Sequence, residues 1–119
     1  VAGKANLQEI LNKKLIENSH KLGKVLHSQL NKLKKKYSSK IQIDVHGTGL
    51  VAGVLIKSLN NKPLGNLCSD VCKKALLKGL ILVHTGRESI KIGPPLMISK
   101  SALLEGLKIL DECIYDCLQ

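Results

Sequence analysis

Leucine returns at three- and four-residue steps, or multiples of them, through the first third of the chain: Leu7, Leu11, Leu15, Leu22, Leu26, Leu30 and Leu33, closed by Tyr37, with Lys, Asn and Gln between them. That period predicts an amphipathic helix over residues 5–37. Its length and the Lys13-Lys14 interruption predict two helices, or one with a kink. Ser38-Ser39 ends the element. Ile41-Gln42-Ile43-Asp44-Val45 then alternates apolar and polar, as a half-buried strand does. Gly47-Thr48-Gly49 reads as a tight connection, and residues 50–56 as a second, more fully apolar strand. Asn60-Asn61-Lys62-Pro63 is a loop by composition.

A second helix is predicted from about residue 66 to 78, with Leu67, Val71, Cys72, Ala75 and Leu76 as its apolar stripe and Gly79 in the C′ position. Residues 80–84 and 89–92 read as short strands around a Thr85-Gly86-Arg87-Glu88 turn. Pro94-Pro95 prevents the sheet ladder from continuing. Ser99 suits the N-cap of a last helix, whose buried face carries Leu103, Leu107, Leu110, Ile114 and Cys117. The order is α-β-β-α-β-β-α. Short turns join strands within each pair and helices separate the pairs. The expected architecture is therefore α+β, a small and mainly antiparallel sheet of four short strands with helices packed on it. Residues 1–119 form one domain.

Composition narrows this picture. With 44% hydrophobic residues among 119 the chain is of globular type. It has two tyrosines but neither Phe nor Trp, so the core must be aliphatic. Little flat π surface is left for stacking bases. The net charge of +10 is unevenly spread: residues 1–40 hold ten lysines against Glu9 and Glu17, and so carry +8 of it. Arg87 is the sole arginine, the residue type favoured for bidentate phosphate contacts. The favoured reading is a solvated Lys-rich helix face. The alternative is a free-standing basic module binding nucleic acid or an acidic partner through residues 13–40, an electrostatic contact that weakens steeply with salt.

Cys68 and Cys72 share one helical face, as do Cys113 and Cys117. Four thiols on two facing helices could in principle hold zinc. Neither pair is a C-x-x-C knuckle, however, and no turn residues surround them. Reduced core thiols in a reducing compartment are the expectation. No stretch is long and apolar enough to span a bilayer, and the opening residues do not read as a signal segment, so none is expected. It begins with Val rather than Met, as an excised domain would.

Three segments could carry chemistry. Val45-His46-Gly47-Thr48-Gly49-Leu50 has closely spaced glycines, but it is no G-x-G-x-x-G fingerprint and no helix follows, so a hairpin turn is expected. His84-Thr85-Gly86-Arg87-Glu88 places a His near an acid without any nucleophile, and reads as a polar turn. Ile90-Lys91-Ile92-Gly93-Pro94-Pro95-Leu96 sets one lysine in an apolar strand before a rigid exit. Its ammonium must either reach water or meet an anion such as a ligand carboxylate.

Taken in order, these segments resemble the C-terminal domain of class-III aminotransferases of fold type I, the group of the 4-aminobutyrate, ornithine, acetylornithine and diaminobutyrate enzymes. The family pattern is Val-Arg-Gly-x-Gly-Leu, a hydrophobic strand, a helix, a Gly-Leu-Leu strand, and Ile-Arg-x-x-Pro-Pro-Leu before a closing helix. Here Val45 to Leu50, Gly79-Leu80-Ile81, Ile90 to Leu96 and the run from Ser99 to Leu110 are similar to those parts. The resemblance covers nearly the whole chain. It implies a small domain of a larger homodimeric, cytoplasmic enzyme that moves an amino group from an amine or ω-amino acid to a 2-oxo acid with pyridoxal phosphate. It further implies that the Schiff-base lysine and most cofactor contacts lie in a large domain absent from this sequence. The chain alone is therefore expected not to transaminate, and no catalytic residue is assigned within it. His46 stands where the pattern usually has Arg and reads as structural. Lys91 aligns with the arginine that grips a substrate carboxylate in several members, and is the expected substrate-binding residue. A lysine offers a point charge there in place of a planar fork.

Overall fold

The computed structural model describes residues 15–84, 88–95 and 97–119. Among the described residues seven elements follow one another: α1 (Leu15–Lys36), β1 (Gln42–His46), β2 (Ala52–Lys57), α2 (Gly65–Leu77), β3 (Val83–His84), β4 (Ser89–Ile92) and α3 (Lys100–Cys117). This is the α+β order expected, with three helices and four strands. The strands form one antiparallel sheet in the order β1-β2-β4-β3. Hairpins make β1–β2 and β3–β4, and β4 returns beside β2 after α2 has crossed.

All three helices lie on one face of the sheet. Ile43, Ala52, Val54, Ile56, Ile90 and Ile92 point toward them and are buried, as strict alternation along a strand requires. From α1 come Leu22, Leu26, Leu30, Leu33 and Tyr37, the stripe that the leucine period implied. From α3 come Leu103, Leu107, Leu110 and Ile114, joined by Cys113. The core is aliphatic apart from Tyr37, its one aromatic member, and the thiols Cys68 and Cys113.

Local chemistry fixes several element ends. Ser99 caps α3, its Oγ accepting from the Ala102 N–H at 3.1 Å. Gly79 follows α2 at φ 86°, a backbone conformation that glycine adopts without a Cβ penalty. The β1–β2 connection turns at Gly47 (φ 108°) and Gly49 (φ 59°), with Val51 N–H donating to the Thr48 carbonyl at 3.2 Å. Against that connection α1 packs at backbone distance: a Cβ on Gly23 would stand 2.5 Å from the Gly49 backbone. The His27 Nε2 lies 3.1 Å from the Gly49 carbonyl oxygen and ties the same contact. At the other end Tyr37 donates its hydroxyl hydrogen to Asp111 Oδ1 at 2.5 Å. Lys36 holds the same carboxylate at 2.8 and 3.0 Å, linking α1 to α3.

The structure corrects some expectations. From Leu15 to Lys36 the first helix is as expected, while Leu7, Leu11 and the break expected at Lys13-Lys14 lie outside the described residues. Leu50 is buried but belongs to the turn, and β2 begins at Ala52. The stripe of α2 is rotated from that expected: Cys68, Val71 and Ala75 are buried, whereas Leu76 is 61% exposed. Strand pairing in β3 is confined to Val83 and His84, not residues 80–84. Leu80 and Leu82 pack against the core without joining the ladder. Of the 85–88 turn, residues 85–87 lie outside the described residues.

Candidate functional site

Among the described residues, helices cover one face of the sheet and leave the other bare. On an antiparallel sheet, directly paired residues share a face. The register therefore places His46, Gly53, Lys91 and Val83 in one row across the bare face, one residue from each strand. Asp44, Leu55 and Ser89 form the next row, and Gln42 and Lys57 the third.

Lys91 stands near the middle of the first row, between Gly53 of β2 and Val83 of β3. Its neighbours Ile90 and Ile92 are buried on the helix side, and Lys91 itself is exposed. The strand is thus apolar on one face only, and the ammonium reaches water with no desolvation cost. The Lys91 side chain makes no hydrogen bond or ion pair among the described residues. His46 ends β1 on the same face, exposed and equally without a partner among them. Between the two, a Cβ on Gly53 would meet nothing within 4 Å, so the floor is open backbone. Asp44, the carboxylate nearest in register, lies 3.8 Å from Lys34 of α1.

The sequence singled out Lys91 but read His46 as structural. Its alternation from Gln42 through Asp44 to His46 was the available signal that all three face the same way. His84 is on β3 but pairs with Ile90, so it lies on the helix side, away from Lys91. Exposed apolar groups fringe this end of the sheet: Leu77 (88%), Ile81 (78%), Met97 (61%) and Val83 (51%).

The four cysteines are free, on the facing helices α2 and α3. Burial pushes all four thiols upward, Cys68 to about 11. No group of three or more His, Cys, Asp or Glu side chains suited to a metal ion occurs among the described residues. No helix among them is long and apolar enough to cross a membrane.

Comparison with known proteins follows the same line. The family model for class-III aminotransferases matches residues 1–114, and the chain belongs to that family. It is 32% identical over 119 residues to the alanine/serine racemase of Pyrococcus horikoshii, covering 98% of this chain and 25% of that protein. It is 31% identical over 115 residues to the mitochondrial ornithine aminotransferase of Arabidopsis thaliana, covering 97% and 23%. The fold superposes on a transaminase from the marine bacterium Virgibacillus with a TM-score of 0.84 at 25% identity, covering 97% of this chain and 27% of that one. The chain thus spans about a quarter of the length of the relatives it matches.

The family is one of enzymes, in general dependent on pyridoxal phosphate. The described residues do not fit that cofactor by themselves. A lysine able to react as a free amine near neutral pH needs a desolvated or cationic setting, and an anionic phosphate needs converging donors. Among the described residues no polar or charged side chain is buried. The cleft between the sheet edge and α3 is lined by Leu82, Ile92, Pro94, Leu103, Gly106 and Leu107, among other apolar groups.

Proposed function

We propose that this chain is the C-terminal small domain of a pyridoxal-phosphate-dependent aminotransferase that moves an amino group from an amine or ω-amino acid to a 2-oxo acid. The observation that carries the reading is the bare sheet face with Lys91 unpaired upon it, in a chain that matches only a quarter of its relatives' length. The family match supports the reaction class. The one-sided sheet and its apolar fringe support docking against a larger domain.

In this reading the domain closes the substrate pocket. Closure excludes water and fixes the substrate's position, while the cofactor, held mainly by the large domain, supplies the electron sink. Lys91 holds the substrate carboxylate through its ammonium, so that the reacting carbon is presented at constant distance. The rigid Gly93-Pro94-Pro95 exit anchors the strand from which Lys91 projects. The whole enzyme works as a homodimer in the cytoplasm, and the isolated chain does not transaminate.

The test is Lys91→Ala in the polypeptide that carries this domain. Loss of one charge-assisted contact to a carboxylate should lower kcat/KM for the 2-oxo acid by about ten- to a hundredfold. An unchanged kcat/KM for every 2-oxo acid tried would exclude the role of Lys91.

A second reading rests on one observation: the Pyrococcus racemase is as similar to this chain as the Arabidopsis aminotransferase is. Incubating the enzyme with a single amino-acid enantiomer and no 2-oxo acid separates the two. Catalytic loss of optical rotation supports racemisation; rotation held until a 2-oxo acid is added supports transfer.

A further inference from the structure

We propose that His46 and Lys91 together form one carboxylate-binding slot over Gly53, with His46 supplying the second donor. This rests on the reading of Lys91 as the carboxylate's partner and extends it. Register puts the three residues in a single row, His46 and Lys91 each directly opposite Gly53. Adjacent strands are about 4.8 Å apart, so the two flanking Cα atoms stand about 10 Å from each other. A side chain on the middle strand would fill that interval. Glycine leaves it open, and nothing lies within 4 Å of where its Cβ would be.

The chemistry of the two flanks is complementary. A lysine ammonium is a point charge that can hold one carboxylate oxygen well but does not fix the plane of the group. An imidazole N–H from the opposite flank can hold the second oxygen. Two donors on separate strands would then do what the two arms of one guanidinium do. Neither side chain is engaged elsewhere among the described residues. Asp44, which would repel an anion on this face, is close to Lys34 at 3.8 Å. Leu55, diagonal to Lys91 on the same face, offers apolar contact to the rest of a small acid. The slot takes a small carboxylic acid, and His46 is a specificity-determining residue for it.

The experiment is a titration of the 15N-labelled chain with 2-oxoglutarate, read by amide and side-chain shifts. In the wild type the shifts should centre on His46, Gly53 and Lys91. Lys91→Ala should abolish them. His46→Ala should weaken binding about three- to tenfold, and His46→Arg should restore it. Gly53→Val, with an otherwise unchanged spectrum, should weaken binding at least as much by filling the slot. If His46→Ala binds as the wild type does while Lys91→Ala does not, the slot is refuted and the reading of Lys91 stands. If the wild type shows no shifts at these residues, or Lys91→Ala binds normally, the slot is refuted as a feature of this chain, and kcat/KM of Lys91→Ala in the whole polypeptide decides the reading of Lys91 separately.

Discussion

Two glycines inside helices should respond to alanine in opposite senses. In an exposed helix interior, Gly→Ala stabilises by roughly 0.5–1 kcal/mol, because glycine loses more backbone entropy on folding. Gly106 in α3 follows that rule: a new Cβ meets only the Leu80 Cδ1 at 3.4 Å, the end of a flexible side chain. Gly23 in α1 does not, since its Cβ would stand 2.5 Å from the Gly49 backbone. That backbone is held by its own turn geometry, so the helix must move outward. Overpacking of this kind costs about 1–3 kcal/mol, and the displacement also strains the His27–Gly49 hydrogen bond. After the helix-propensity gain, Gly23→Ala should destabilise by about 1–2 kcal/mol, lowering Tm by roughly 3–10 °C. Urea denaturation followed by circular dichroism gives the first value and a thermal melt the second, with Gly106→Ala as the internal control. If Gly23→Ala were as stable as the wild type, α1 could not lie as close to the β1–β2 turn as described.

Three further outcomes are expected. Ser99→Ala removes the Oγ that caps α3 and should cost about 1 kcal/mol in the same urea assay. Tyr37 is held above its ordinary value of 10.0 by burial, with the Asp111 carboxylate adding to the rise, and the four thiols are held above 9.0 by burial. Their contribution to stability is full below those ordinary values and is lost as pH rises above them, because the unfolded chain then releases protons that the folded chain keeps. The urea midpoint should therefore fall between pH 8 and pH 10.5, and fall less in Tyr37→Phe. With a thiol-specific disulfide reagent at pH 8, the partly buried Cys72 and Cys117 should react before the buried Cys68 and Cys113, and equal rates at all four would contradict the packing of α2 on α3.

The order of elements was legible because each carries its own period: leucines at helical spacing in α1 and α3, alternation in β1, and caps at Ser99 and Gly79. Where the sequence misled, tertiary packing had overridden local pattern. Leu80-Ile81-Leu82 has strand composition, yet Leu80 and Leu82 turn into the core while Ile81 stays 78% exposed, leaving only Val83 and His84 to pair. On α2, Leu76 fits the apolar period but is 61% exposed, while Cys68, one residue off the expected stripe, is buried. The candidate face was half legible. Lys91 stood out as a charge in an apolar strand, and alternation could have assigned His46 a direction. That the two flank a glycine depends on the pairing of β2 with both β1 and β4, and β4 lies more than thirty residues further along the chain. No local pattern carries such a register.

The most direct test of the account is the size of the native polypeptide, by immunoblot of the source extract with an antibody raised to this chain. A band about four times 12.9 kDa is expected, since the chain covers a quarter of its relatives. A band at 12.9 kDa alone would contradict the small-domain reading and leave the bare face of the sheet without a large domain to meet it.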